Sequence, residues 1–423
     1  MKKALVIGID GVPYELLNRL IERGCMEGLK AILNVGYRLH KMKASLPDIS
    51  SVSWTSFMTG VNPGEHGIFG FTELKYNTYE LSFPDSRSIK APLFWQTLKH
   101  KNRIQSSIIL NIPNTYPAFP IDGLLVSGFV AIDFDRAVYP PDYAHVLQEK
   151  GYIIDVDLMK AREDREGFYI DLIDSIRVRK EVASWLLNEK DWDISVLCVT
   201  ETDRLHHFFF DQQETVLFDD FYKEIDDFIT YLYKTTQKKY GEDILFLILS
   251  DHGFVELETE VNINAYFKEA GILKINTTRD FYERIDKGTF AFAMDPGRIY
   301  INYENKFPRG SVKLEETDAV KKLIKDTLFS LKDKKSQKII RHIFDKQEIY
   351  RGRYTEHAPD LICIPNNGYD LKGNLRKDEI FTKGIFRGMH TWDNALLIAP
   401  KRIKIDEEIN IEYPSKIIMD YFS

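Results

Sequence analysis

Hydrophobic and polar positions fall along this chain in two kinds of block. Short, largely apolar runs at 4–9, 106–110, 194–199, 244–249 and 395–399 are what strands buried on both faces of a parallel sheet require. Between them, apolar positions recurring at helical spacing predict helices over 14–33, 92–98, 169–189 and 218–239, the first broken near Arg23-Gly24. A short strand is expected at 124–129, while 130–168 shows no clear period. Strands alternating with helices in this way define an α/β protein rather than a repeat array. After Val255 the texture changes. A short helix is expected at 262–271, a half-exposed strand at 298–303, an amphipathic helix at 317–331 and a short strand at 360–365. The core pattern resumes at 395.

The polar residues that interrupt this pattern gather where strands stop, which is where open α/β sheets place their ligands. The first strand ends in Asp10-Gly11, with Pro13 suited to the first helical turn. The run at 194–199 leads into Asp203 and His207, which share one face if the segment is helical. The run at 244–249 stops at Ser250-Asp251-His252-Gly253, and Gly388-Met389-His390 precedes the last strand. One stretch, 45–68, fits neither pattern: four serines and a threonine lie between Ser50 and Ser56, after Pro47-Asp48. It suits a loop running into a helix N-terminus, where free backbone N–H groups and the helix dipole receive an anion.

Asp10, Ser50, Asp203, His207, Asp251, His252 and His390 together offer three carboxylates and three imidazoles, enough for two three-residue metal sites with a hydroxyl between them. Such nitrogen and oxygen ligands suit Zn²⁺, with Mn²⁺ as the alternative. Two ions about 4 Å apart hold an in-line displacement at phosphorus and make a nucleophile of a serine whose own pKa lies far above neutrality.

In this order, the motifs Ile9-Asp10-Gly11, Thr59-Gly60 with Pro63 and His66-Gly67, Asp203 with His207, Ser250-Asp251-His252-Gly253 and Gly388-Met389-His390 resemble the alkaline phosphatase superfamily. Within it they are most similar to the type I phosphodiesterase/nucleotide pyrophosphatase family. The resemblance spans residues 10–390. It implies an α/β/α sandwich of three layers with a smaller inserted cap: a metal-binding catalytic domain from 1–254 and 386–423, and a cap from 255–385. It also implies that Asp10, Asp251 and His252 hold one ion, and Asp203, His207 and His390 the other. Ser50 is then the nucleophile, with Ser51 as the adjacent alternative and His206 as the alternative to His207. Where the family's nucleotide pyrophosphatases carry an Asn three residues beyond the nucleophile, this chain has Ser53. Ser53 or a backbone N–H is then the expected contact to a phosphoryl oxygen. His66 is expected to organise its turn rather than bind metal, and Arg298, Tyr300 and Arg387 are candidate substrate contacts.

Composition narrows the function further. A net charge of −7 and a pI near 5.9 argue against a dedicated nucleic-acid surface. The three cysteines, Cys25, Cys198 and Cys363, have no metal-like spacing and are expected as thiols, the last two buried. No apolar run reaches membrane-spanning length, and the first apolar run ends at Asp10 without a cleavage site, so a cytoplasmic location is expected. The expected activity is hydrolysis of a small phosphodiester or phosphoanhydride, nucleotides included, through a phosphoseryl intermediate. The alternatives are a phosphomonoesterase or phosphomutase of the same superfamily, and a non-catalytic binding protein. A basic residue beside Ser50, as a monoesterase would carry, is absent, and so is a sulfatase signature. The filled set of metal ligands argues against the binding protein.

Overall fold

Five parallel strands form the centre of the protein in the computed structural model, which describes residues 2–423. In spatial order they are Leu245–Leu249, Ala4–Ile9, Ile194–Val199, Ser107–Ile112 and Gly123–Ser127. Ala395–Pro400 and then Tyr37–Met42 extend one side in antiparallel sense, and Val138–Tyr139 closes the other. Register decides where the site lies. Ile9 stands opposite Val199, and Gly8 opposite Leu249, so Asp10, Thr200 and Ser250 leave the sheet at one edge. The last strand runs the other way, so its N-terminal end, just beyond His390, comes to that same edge.

The two faces are covered separately, as alternation along a strand dictates. Leu5, Ile7 and Ile9 face helices Tyr14–Glu22, Glu27–Asn34, Arg165–Glu189 and Val216–Tyr240. Ala4 and Val6 face helices Ser50–Thr59, Phe94–His100 and Tyr413–Phe422. The result is a three-layer α/β/α sandwich. Gly8 is fixed by this packing: a Cβ there would lie 2.3 Å from the Trp54 ring.

Residues beyond the central sheet form a second body of structure. Ala291–Met294, Arg298–Ile301, Leu361–Pro365 and Ile340–Asp345 make a four-stranded antiparallel sheet. Thr259–Asn262 pairs with Tyr369–Lys372 and Phe381–Thr382 in a smaller one. Their core includes Phe267, Phe292, Ile299, Ile324 and Leu361. Tyr79, from far earlier in the chain, joins it by stacking on Phe307 at 5.2 Å and donating to Asn302 at 2.6 Å. An antiparallel ribbon of Gly253–Glu256 and Gly388–Thr391 carries the chain out and back.

The break expected near Arg23-Gly24 is present: the first helical stretch is two helices, Tyr14–Glu22 and Glu27–Asn34. Other local expectations need correction. The strand at 298–301 is buried throughout rather than half-exposed, because its sheet is covered on both faces. Tyr37–Met42 was not legible as a strand, since an edge strand keeps polar side chains toward water. All three cysteines are free and buried.

Candidate metal centre

Six carboxylate and imidazole side chains and one hydroxyl meet at the sheet edge, brought there by the ends of strands and by two helices. Asp10 follows the first strand, and its backbone carbonyl accepts from the Thr202 hydroxyl at 2.6 Å. Gly11 has a positive φ of 66°, which turns its N–H toward Asp251 Oδ1 at 3.1 Å. A Cβ at Gly11 would meet the Phe254 ring at 2.7 Å, so glycine is required twice over. Asp203 and His207 lie one turn apart on helix Glu201–Phe209. Ser50 is the first residue of its helix, which starts without a side-chain cap, so the first N–H groups stay available.

These six side chains divide into two clusters that could each hold a metal ion, Asp10/Asp251/His252 and Asp203/His207/His390, each with one atom per residue mutually within 4.8 Å. His252 Nε2 lies 3.5 Å from Asp10 Oδ1 and 3.4 Å from Asp251 Oδ2. His390 Nε2 lies 3.1 Å from His207 Nε2 and 3.3 Å from Asp203 Oδ1. Ser50 Oγ sits 3.4 Å from Asp10 Oδ1 and 3.2 Å from His252 Nε2.

The way these groups are held shows what they fit. In each carboxylate one oxygen is occupied by the protein: Asp10 Oδ2 accepts from Trp54 Nε1 at 2.9 Å, Asp251 Oδ1 from Gly11, and Asp203 Oδ2 from Arg204 at 2.7 Å. The opposite oxygens of Asp203 and Asp251 are buried without a hydrogen-bond partner. Two imidazoles are oriented likewise. His252 Nδ1 donates to the Gly253 carbonyl at 3.1 Å and His390 Nδ1 to the Asp48 carbonyl at 2.8 Å, which turns each Nε2 lone pair inward. Buried polar atoms without partners cost several kcal/mol, about 1–3 each or more when charged. An arrangement that leaves acceptors orphaned and converging fits divalent cations.

Electrostatics point the same way. Burial, reinforced by Asp251 and Asp203, pushes Asp10 well above the carboxylate range. Burial also carries Asp251 up to about 7. Burial would raise Asp203 too, but His207, His390 and Arg204 outweigh it and hold that carboxyl well below its usual value. His207 is pulled down to about 3, chiefly by burial. Three buried carboxylates in mutual repulsion are relieved by added positive charge.

The remaining sequence candidates fall elsewhere. His206 is bonded to the Gly11 carbonyl at 2.9 Å and the Tyr222 hydroxyl at 2.7 Å, so both ring nitrogens are spent away from the clusters. The Ser51 hydroxyl touches neither Asp10 nor His252 and has no partner. Ser53 is fully buried and accepts from the Ser45 N–H at 3.3 Å, behind the helix rather than toward the clusters. Arg298 is buried, donating to the carbonyls of Asp295, Phe69 and Thr72. Tyr300 is buried against Phe292, and Arg387 pairs with Asp211. Sequence reasoning missed the polar residues that hold the ligands, Trp54 and Arg204, because nothing in their spacing marks them.

His66 ties the hydroxyl loop together. Its ring bonds to Ser56 Oγ at 2.9 Å and accepts from the Ile68 N–H at 3.2 Å. Burial lowers its pKa from 6.5 to about 3. The unfolded chain takes up this proton below pH 6.5, while the folded chain does not until about pH 3. The contribution is therefore intact above 6.5 and is lost as pH falls from there. By linkage it amounts to roughly 3–5 kcal/mol across that window. His66→Gln should be less stable at pH 7 yet lose less on acidification to pH 4 in urea titrations. An equal acid loss in both proteins would contradict this role.

Beside His207 and His390 lies a cavity of about 160 Å³. Asp48 lines it from the sandwich, and Asp295, Asp370 and Lys372 line it from the second body. Lys372 pairs with Asp370 at 2.5 Å and stays charged, since Asp370 and Asp295 outweigh its burial.

The architecture is shared with solved structures of other proteins. Phosphonoacetate hydrolase from Sinorhizobium meliloti 1021, solved with phosphonoformate, superposes with a TM-score of 0.68 at 14% identity, covering 100% of this chain and 96% of the other. Alkaline phosphatase PafA, as a mutant, gives 0.64 at 13% identity with 100% and 96% covered. An inactive form of murine ectonucleotide pyrophosphatase/phosphodiesterase 5, in complex with AMP, gives 0.59 at 13% with 100% and 95% covered. No curated protein matches the chain in sequence. The fold is thus that of the alkaline phosphatase superfamily. Residues 4–393 match the model of the type I phosphodiesterase/nucleotide pyrophosphatase family, and the chain belongs to that family. Membership places it among hydrolases of phosphoryl bonds. Among the described residues, no helix is long and apolar enough to cross a membrane.

Proposed function

We propose that this protein is a two-metal phosphodiesterase that works through a phosphoseryl intermediate on Ser50. The observation that carries the reading is the position of Ser50 Oγ, 3.4 Å from Asp10 and 3.2 Å from His252, at the open N-terminus of its helix. Divalent ions held by Asp10/Asp251/His252 and by Asp203/His207/His390 would supply positive charge that acidifies the serine hydroxyl and offsets charge on the phosphoryl oxygens. Zn²⁺ suits these ligands best, with Mn²⁺ second.

The chain's own groups do the rest. Ser50 releases its proton to solvent and its oxygen attacks phosphorus; the bond to the leaving alcohol breaks as the Ser50 Oγ–P bond forms, and the alcohol oxygen takes a proton from solvent. A water oxygen then bonds to phosphorus as the Ser50 Oγ–P bond breaks, one water proton returning to Ser50 Oγ and the other passing to solvent, and the phosphate monoester leaves. The first backbone N–H groups of the helix, with the helix dipole behind them, orient the phosphoryl oxygens. Residues 255–385 act as a cap, so the leaving group departs into the cavity bounded by Asp48, Asp295, Asp370 and Lys372. That space suits a small group. Phosphonoformate and AMP in the similar structures are both phosphorus-bearing small molecules, which supports a substrate of that class.

Turnover of bis-p-nitrophenyl phosphate should exceed that of p-nitrophenyl phosphate, with Zn²⁺ or Mn²⁺ and not after chelation. A preference for the monoester would replace the diesterase reading with a phosphatase or mutase. Full activity without metal would remove the metal mechanism.

A further inference from the structure

We infer that Arg204 and Asp155 form a clamp that positions Asp203, and thereby sets the affinity of one of the two metal sites without affecting the other. The inference rests on the two-metal reading above. Arg204 follows Asp203 directly, and its Nη1 donates to Asp203 Oδ2 at 2.7 Å. Its other edge grips Asp155, with Nε to Oδ1 at 3.0 Å and Nη2 to Oδ2 at 2.7 Å. The guanidinium centre lies 4.4 Å from the centre of the Phe129 ring. Arg204 is 7% exposed, so these bonds are made away from bulk water.

The three ligand carboxylates differ in what fixes them. Asp10 is held by an indole N–H and Asp251 by a backbone N–H, both neutral and both belonging to the sandwich core. Asp203 is held by a cation that is itself anchored to a carboxylate from the loop-rich stretch around residue 155. An unanchored arginine at this point would be free to swing, and Asp203 could then turn its second oxygen inward. With Asp155 gripping the far edge, the fork cannot rotate, so Oδ1 alone faces His207 and His390. Planar two-sided recognition of this kind needs arginine, because an ammonium is a point charge without the fork. Outer residues that orient a ligand are worth about 10–100-fold in metal affinity. Among the six ligands the clamp hydrogen-bonds to Asp203 alone, and Asp203 Oδ1 stands nearer His390 and His207, at 3.3 and 3.5 Å, than His252 of the other triad at 3.9 Å, so the effect should fall on the Asp203 triad.

The test is a Zn²⁺ titration of the metal-stripped full-length protein, with bound ions counted after equilibrium dialysis and folding checked by thermal melting. Wild type should bind two ions; fewer than two would overturn the two-metal reading and the clamp with it. Asp155→Asn should bind one ion as tightly as wild type and the other about 10–100-fold more weakly. Arg204→Lys, which keeps the charge but not the fork, should show the same split. His390→Ala should bind one ion, and adding Asp155→Asn to it should leave that ion's affinity unchanged. Two ions in wild type with both affinities, or neither, altered in the folded clamp variants would overturn the clamp alone. So would a further loss when Asp155→Asn is added to His390→Ala.

Discussion

Ser50→Ala should lower kcat on a phosphodiester by a factor of about 10³ or more, the scale on which removal of a covalent nucleophile acts. Both ions should still bind, because the six carboxylate and imidazole ligands are untouched. The loss should be specific to the position. Ser51 stands next in the chain, but its hydroxyl contacts neither Asp10 nor His252. Ser51→Ala should therefore keep kcat within about tenfold of wild type, a loss below one hydrogen-bond equivalent. If Ser51→Ala were the dead variant and Ser50→Ala the active one, the nucleophile would move by one residue. Similar modest losses in both would argue for direct attack by water.

Stripping the metal should have the second large effect, on activity and on the fold together. The clusters bury Asp10, Asp203 and Asp251 with exposures of 2%, 3% and 0%. Without cations the metal-free protein must take up protons to relieve the repulsion, and the raised pKa values of Asp10 and Asp251 express that demand. Ion binding therefore releases protons, and affinity weakens as pH falls through about 7, where Asp251 becomes protonated. An ion present at a thousand times its dissociation constant stabilises the fold by about 4 kcal/mol. Chelation should abolish turnover and lower the melting temperature by several degrees, and Zn²⁺ or Mn²⁺ should restore both. An unchanged melting curve with unchanged activity would show that the clusters hold no functional metal.

Much of this was legible in the sequence, for identifiable reasons. The strands ending at Ile9, Val199 and Leu249 are apolar on both faces, so each polar residue that follows marks the sheet edge, and the parallel register aligns those edges. The choice between His206 and His207 was not legible. It depends on helix phase, which turns His206 toward Tyr222 and His207 toward His390. Ser53 suggested a substrate contact by position alone, yet its place in the helix directs it at Ser45. The edge strand Tyr37–Met42 was hidden by its half-polar face. The holding residues were hidden for a different cause. Trp54 reads as core and Arg204 as a helix-surface charge, and their bonds to Asp10 and Asp203 depend on tertiary contacts that no local pattern encodes.

The central claim is that the phosphoryl group passes through Ser50. It is tested most directly by quenching the metal-loaded enzyme in acid during turnover of a diester and mapping phosphorylated peptides by mass spectrometry. The account predicts a phosphate on the peptide spanning Ser50, located at that residue, absent in Ser50→Ala and absent after chelation. A steady state with full turnover and no phosphopeptide, or a phosphate on another side chain, would contradict it.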